Sequence, residues 1–197
     1  PADAKGVTYI YGRQSCDTRS MEEGDIDDGN AKYGGQEALM ILDRVFIPWD
    51  KVFMYGEYEF ASMLIERFTC YHRRSYVCKT GLGDVLIGAA ATIADYNGIP
   101  NVSHIKDKLT EMTHLNETIF AAGIASSYQG HKLKSGVYLN DDMLAQICKH
   151  NVTRFPYEIS RLAQDIAGGL VVTLPSEKDF RHPVTGPLLK KYLAGRK

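Results

Sequence analysis

A short segment between residues 67 and 83 concentrates side chains that can hold a metal or move a proton. Cys70, His72 and Cys78 lie within nine residues of one another. Thiolate and imidazole together suit zinc, or iron in an iron–sulfur cluster. The spacing His-x5-Cys is not that of a zinc finger, and buried free cysteines are common. The residues alone therefore leave a metal site and a packed interior as alternatives.

Tyr76 and Lys79 flank Cys78 and add acid–base and anion-binding chemistry. A tyrosine can donate a proton or stabilise a developing oxyanion. A lysine can hold an anionic cofactor or a substrate phosphate. The alternative interpretation is an exposed pair at the start of a helix.

Two further places are candidates for a role in binding or catalysis. Glu37 follows two glycines at the start of a predicted strand, and a carboxylate with a raised pKa there could act as an acid or base. A surface glutamate at a turn is the alternative. Gly168 and Gly169 follow a predicted helix, where their backbone amides could approach a phosphate or simply end the helix.

The composition indicates a globular chain without a strong overall charge. Of 197 residues, 44% are hydrophobic and 24% are charged, and the formal net charge is -1. No basic field argues for nucleic acid or an anionic membrane, and we expect no apolar run near the ~20 residues of a membrane span. Four cysteines are too few for a disulfide scaffold, which favours a reducing compartment. Since the chain begins without methionine, we expect a piece of a longer protein.

The hydrophobic period changes near residue 57 and divides the chain into two predicted domains. Strand-like runs occupy 7–11 and 38–49, so residues 1–56 are interpreted as the end of a β domain. Helical stripes follow, with Ser103 and Asn140 as predicted caps and Pro156 as a predicted kink or break. Residues 57–197 are interpreted as an antiparallel helical bundle, with a β-rich run at 170–174. The predicted fold class is α+β.

Several longer stretches resemble one enzyme family. They cover nearly the whole chain, at 13–19, 34–37, 66–68, 71–73, 87–91, 94–98, 106–108, 111–118, 153–158 and 165–169. In these stretches the chain resembles the middle and much of the C-terminal part of the 4-hydroxybutyryl-CoA dehydratase/vinylacetyl-CoA isomerase family. That family belongs to the flavin-dependent 4-hydroxyphenylacetate 3-hydroxylase superfamily.

The resemblance implies a fold, cofactors and a reaction. The fold would be like that of acyl-CoA dehydrogenases, in a cytoplasmic homotetramer that carries FAD and a 4Fe-4S cluster. The reaction would be a radical dehydration of 4-hydroxybutyryl-CoA to crotonyl-CoA, together with isomerisation of vinylacetyl-CoA. The partners would be an acyl-CoA substrate and further copies of the chain.

The resemblance also assigns roles by matching position. His72 and Cys78 would be cluster ligands, with the other two ligands outside this chain. His72 and Glu37 would be acid–base residues, and Tyr76 and Lys79 would line the active site, with Lys79 near flavin or substrate. Gly168 and Gly169 would lie near the flavin or a subunit contact.

One departure from the family pattern lies inside the predicted site. The family spacing is His-x6-Cys with two glycines before the cysteine, whereas here the single residue Val77 takes that place. One residue fewer shifts the cysteine by about 100° around a helix. We therefore predict that the chain alone binds no stable 4Fe-4S cluster. Two alternatives are a flavin-dependent aromatic monooxygenase of the hydroxyphenylacetate type and a non-catalytic truncated homologue.

Overall fold

The computed structural model describes residues 2–12 and 37–196. Residues 13–36, which include the stretch of family resemblance at 13–19 and the cysteine Cys16, lie outside the described residues. The chain forms two units, one of residues 1–56 with 175–194 and the other of residues 57–174 with 195–197.

The first unit contains a two-stranded antiparallel sheet. Strand β1 (Val7–Tyr11) pairs with β2 (Ala38–Leu42), so that Val7 lies opposite Leu42 and Tyr11 opposite Ala38. A 3-10 turn follows at Trp49–Lys51. The same unit includes the short helices α7 (Glu177–Arg181) and α8 (Thr185–Tyr192).

The second unit is helical. Its elements are α1 (Ala61–Ser75), α2 (Lys79–Tyr96), α3 (Ser103–Tyr128), α4 (Asp142–Val152), α5 (Phe155–Ile166) and α6 (Leu170–Thr173), with a small hairpin of β3 (His131–Lys132) and β4 (Tyr138–Leu139) before α4. Its main core joins α2, α3 and α5 through Ala90, Ala94, Ile105, Met112 and Ile159. A second buried cluster joins α3 and α4 through Ile119 and Cys148.

Local sequence explains where these helices begin and end. After α2 the chain turns at Gly98, whose φ of 69° favours glycine, and Pro100 follows. The side chain of Asp141 accepts a hydrogen bond from the Leu144 amide at 2.8 Å and caps α4. Pro156 lies in the first turn of α5, where the missing amide proton costs nothing. The proline therefore marks a break between α4 and α5.

The α+β class is confirmed, and three local predictions need correction. Residues 45–47 are not a strand because they have no pairing partner among the described residues. The run 170–174 forms the single-turn helix α6, which begins after the left-handed Gly169, and is not β-rich. Asn140 is not the cap of α4, because its buried side chain bonds to Cys70 and Ser126.

The helical stretch Tyr58–Tyr96 also differs from the prediction about apolar runs. It is long and apolar enough to cross a membrane by length and composition alone. Its second half, α2, packs into the helical core through Ala90 and Ala94, and 17% of the apolar window is buried. That no membrane partner exists stays a prediction.

Candidate active site

The predicted chemistry lies where α1 passes into α2. His72 is in the last turn of α1, the 3-10 turn Tyr76–Cys78 follows, and Lys79 begins α2. We call Tyr76–Cys78 the junction turn. The backbone stays right-handed throughout, since Ser75 and Tyr76 have φ of -63° and -60°.

The 3-10 winding of the junction turn brings Cys78 closer to the helical face of His72 and so compensates in part for the shorter His-x5-Cys spacing. A regular α-helix would place Cys78 about 120° around the axis from His72. Three α-helical steps followed by three 3-10 steps of about 120° reduce that separation to about 60°. His72 and Cys78 are both exposed, so both side chains are available on the surface of this unit.

His72 is held between two aromatic side chains of its own helical face. Its ring stacks on Phe68 with centroids 5.3 Å apart and planes at 11°. On the other side it meets the Tyr76 ring edge-on, with centroids 4.9 Å apart. His72 Nε2 and Tyr76 Oη lie 3.1 Å apart, within hydrogen-bonding distance. The spacing i, i+4, i+8 therefore produces an aligned imidazole and phenol.

A side chain from another helix completes this group. The Nζ of Lys149, on α4, lies 3.6 Å from the centroid of the Tyr76 ring. Sequence reasoning missed Lys149, because helical periodicity relates residues of one helix and Lys149 is more than seventy positions away.

The opposite side of the junction turn is packed against α3. A Cβ added to Gly123 would lie 2.7 Å from the Val77 side chain, so Val77 occupies the space that this glycine leaves. One helical turn after Val77, the Thr80 carbonyl accepts a hydrogen bond of 3.1 Å from the Asn116 side chain of α3. Asn116 also donates to Asp84 at 2.8 Å. These contacts fix the backbone that carries Cys78 and Lys79.

The three described cysteines have different surroundings. Cys78 is exposed, whereas Cys70 and Cys148 are buried free thiols. Burial raises the pKa of the Cys70 thiol, and the nearby carboxylates of Asp142 and Asp141 raise it further. Burial also raises the pKa of Cys148, which Arg74 partly opposes. Cys70 donates to the Asn140 carbonyl at 3.2 Å, so Cys70 and Cys148 are packing residues rather than metal ligands.

Glu37 lies in the first unit, directly before β2. Its carbonyl accepts a hydrogen bond from the Gly12 amide at 2.7 Å, which extends the β1–β2 pairing by one residue. The residue is exposed. Its role as an acid or base stays a prediction.

Gly168 and Gly169 lie at the end of α5 with φ of 70° and 83°. A Cβ added to either would meet no atom within 4 Å. Two left-handed residues in succession explain the end of the helix. Their open surroundings leave the backbone accessible to a ligand.

The residues at the junction do not form a complete metal site. No group of three or more His, Cys, Asp or Glu side chains that could hold a metal occurs within 2–12 and 37–196. An iron–sulfur cubane takes four protein ligands, of which His72 and Cys78 could supply two. The described chain therefore does not fit a whole 4Fe-4S cluster.

Comparison with known families identifies the protein's relatives. The 4-hydroxyphenylacetate 3-hydroxylase C-terminal family matches residues 61–197, and the corresponding N-terminal family matches residues 1–54. The chain belongs to the 4-hydroxyphenylacetate 3-hydroxylase family. The predicted superfamily is therefore confirmed.

Within this family, the chain is most informatively compared with dehydratases. It is 63% identical over 92% of its length to the 4-hydroxybutyryl-CoA dehydratase/vinylacetyl-CoA-Δ-isomerase of Clostridium aminobutyricum, of which it covers 37%. It is 93% identical, with a TM-score of 0.92, to a solved oxygen-tolerant archaeal 4-hydroxybutyryl-CoA dehydratase from N. maritimus, of which it covers 39%. The chain thus spans about two fifths of the length of these relatives.

More distant members of the family are monooxygenases. The oxygenase component of 4-hydroxyphenylacetate 3-monooxygenase from Thermus thermophilus is 26% identical over 81% of the chain, which covers 34% of it. A solved oxygenase component of the same enzyme class, complexed with FAD and 4-hydroxyphenylacetate, has a TM-score of 0.82 at 22% identity. The match covers 100% of this chain and 41% of that one. These likenesses confirm the predicted fold.

Proposed function

We propose that this chain is the middle and C-terminal part of an enzyme that dehydrates 4-hydroxybutyryl-CoA and isomerises vinylacetyl-CoA, both to crotonyl-CoA. The observation that carries the proposal is the 63% identity over 92% of the chain to an enzyme of that name. The substrate class is accordingly an acyl-CoA thioester. Since the chain covers 37% of that relative, the activity is that of a longer protein.

The isomerisation defines what the side chains must do. Conversion of vinylacetyl-CoA to crotonyl-CoA removes a proton from C2 and adds one at C4. His72 and Tyr76 form an acid–base pair with their polar atoms 3.1 Å apart. One partner takes the proton while the other supplies one, and such catalysis contributes about 10²–10⁴-fold to a rate.

The dehydration places a further demand on the same residues. Loss of water from 4-hydroxybutyryl-CoA removes hydrogens from C2 and C3 and hydroxide from C4, and returns a proton to C4. Because this reaction moves more protons than the isomerisation, Glu37 is proposed as a further acid or base beside the His72–Tyr76 pair. Lys79, exposed at the start of α2, is proposed to hold an anionic part of the substrate or cofactor.

FAD is the proposed cofactor. A solved relative carries it with its phenolic substrate, and bound flavin supplies one-electron or hydride chemistry. The open left-handed pair Gly168–Gly169 is accessible to a ligand, and Lys79 offers a positive charge. These three residues are the proposed flavin contacts.

A 4Fe-4S cluster is proposed only as a shared site. His72 and Cys78 would supply two ligands, and residues outside this chain would supply the others. The exposure of both side chains supports this arrangement. The chain alone is proposed to hold no cluster.

Assembly into a homotetramer in the cytoplasm is part of the proposal. The α1 face exposes large apolar side chains, with Leu64 58%, Ile65 61% and Phe68 61% accessible. Exposed apolar surface of this kind is typical of an interface. The described cysteines are free thiols, as in a reducing compartment.

The direct test is product analysis of a full-length protein that contains this chain. Under anaerobic conditions we expect crotonyl-CoA from both CoA esters, and about four irons per subunit because a cubane contains four. A protein that instead hydroxylates phenols under air, without iron, would establish the monooxygenase alternative. That alternative is favoured by Val77, which departs from the dehydratase spacing. A protein inactive in both assays would be the non-catalytic homologue.

A further inference from the structure

The contact between Lys149 and Tyr76 joins two elements that sequence does not relate. The Lys149 Nζ lies 3.6 Å from the centroid of the Tyr76 ring. A cation within about 6 Å of a ring centroid is attracted by the negative face of the ring. Both residues are half-buried, and partial removal from water strengthens this attraction.

The backbone around Lys149 is well fixed. Its neighbour Cys148 is fully buried, with Sγ 3.9 Å from the carbonyl oxygens of both Arg74 and Ile119. The start of α4 is capped by Asp141. Helix α4 is therefore held against the last turn of α1, and this position places the Lys149 side chain over the Tyr76 ring.

The Tyr76 hydroxyl at the edge of this ring points to the imidazole. Tyr76 Oη lies 3.1 Å from His72 Nε2, and Phe68 stacks on the other face of His72. The ammonium, the phenol and the imidazole thus form a continuous series.

We infer that Lys149 is a positioning residue for the Tyr76–His72 pair. Its ammonium fixes the orientation of the Tyr76 ring and thereby keeps the Tyr76 hydroxyl within hydrogen-bonding distance of His72. Lys149 acts through Tyr76 and does not itself touch the substrate. The inference rests on the proposed function, in which Tyr76 and His72 move protons.

The test is a mutant cycle in a full-length protein that contains this chain, with the rate of vinylacetyl-CoA isomerisation as readout. We expect Lys149→Met to lower kcat about tenfold, the loss of a partly buried cation–π contact. Lys149→Arg keeps the charge and should stay within about threefold of wild type, since guanidinium also binds aromatic faces. The matched control is Lys106→Met, an exposed lysine on α3, which should leave kcat unchanged.

The cycle with Tyr76→Phe separates positioning from simple packing. In the Tyr76→Phe background, Lys149→Met should change kcat by less than about twofold, because the hydroxyl through which it acts is gone. Thermal stability should behave differently, because phenylalanine keeps the ring. Lys149→Met should lower the melting temperature equally in both backgrounds.

Three results would overturn the inference. The first is an unchanged kcat in Lys149→Met. The second is a kcat in Lys149→Arg as low as that in Lys149→Met. The third is a full tenfold loss of kcat when Lys149→Met is added to Tyr76→Phe. If wild type makes no crotonyl-CoA, the proposed function fails, and Lys149 is then judged from stability in a Tyr76→Leu background. Loss of the Lys149→Met effect on melting there supports the positioning contact, and an undiminished effect refutes it.

Discussion

The two sides of the junction turn are held by different kinds of contact. On one side, Val77 packs against Gly123, and Asn116 packs against Gly83 so closely that an added Cβ would lie 2.0 Å from its Oδ1. On the other side, His72 and Cys78 are exposed, and His72 is held by ring contacts and one polar contact of 3.1 Å. The packed side fixes the backbone, while the other side leaves His72 and Cys78 exposed.

The largest expected difference between buried and exposed positions is in thiol reactivity. Cys78 should be alkylated rapidly in the folded chain, whereas Cys70 and Cys148 should react at least about a thousandfold more slowly, because their labelling requires opening of the core. Mass spectrometry of digested peptides after timed labelling with N-ethylmaleimide measures each site. The raised pKa of both buried thiols also slows their alkylation, because less of each thiol is present as the reactive thiolate.

Denaturant supplies the control for this labelling experiment. In about 6 M guanidinium, Cys70, Cys78 and Cys148 should react at similar rates because unfolding exposes them all. Equal labelling of Cys70 and Cys78 in the folded chain would contradict the packing described around Cys70.

The second prediction compares two glycines of α2 that are two residues apart. Gly83→Ala should destabilise the chain by about 2–3 kcal/mol, since the added methyl has no room beside Asn116. Gly81→Ala is the matched control, because an added Cβ there meets nothing within 4 Å. It should stabilise the chain by up to about 1 kcal/mol through helix propensity. Urea unfolding followed by circular dichroism measures both, and a neutral Gly83→Ala would refute the close contact.

The smallest expected effect is that of a surface ion pair remote from the packed side. Lys108 Nζ lies 2.5 Å from Asp165 Oδ2, and this hydrogen bond lowers the pKa of Asp165 below its usual 3.8. A carboxyl whose pKa is lower in the folded state stabilises the protein above its unfolded pKa and loses that contribution as pH falls. Asp165→Asn should therefore destabilise slightly at neutral pH, and this effect should shrink as the pH falls below 3.8. A larger loss at pH 2 than at pH 7 in thermal unfolding would contradict this sign.

Sequence patterns predicted the fold where the relevant interaction is local. The β-branched and aromatic run of β1 and the apolar stripe of α2 are both short-range signals. The resemblance located Glu37, Lys79 and Cys78, whose roles stay predictions.

The rest depends on contacts between distant segments. Asn140 has the right type for a helix cap, but its burial beside Cys70 and Ser126 makes Asp141 the cap instead. Residues 170–174 are β-branched enough to favour a strand, but they pair with none of the described strands and form the helical turn α6 instead. Lys149 reaches Tyr76 only because α4 packs on α1, which no local pattern reveals.

The central claim is that Tyr76 and His72 move the proton in a dehydratase-type reaction. Its most direct test is the isomerisation of vinylacetyl-CoA by a full-length protein carrying Tyr76→Phe, with Tyr157→Phe as control because Tyr157 is 77% exposed. We predict that Tyr76→Phe forms crotonyl-CoA at least about a hundredfold more slowly, while Tyr157→Phe matches wild type. Equal rates for the two variants would contradict the account.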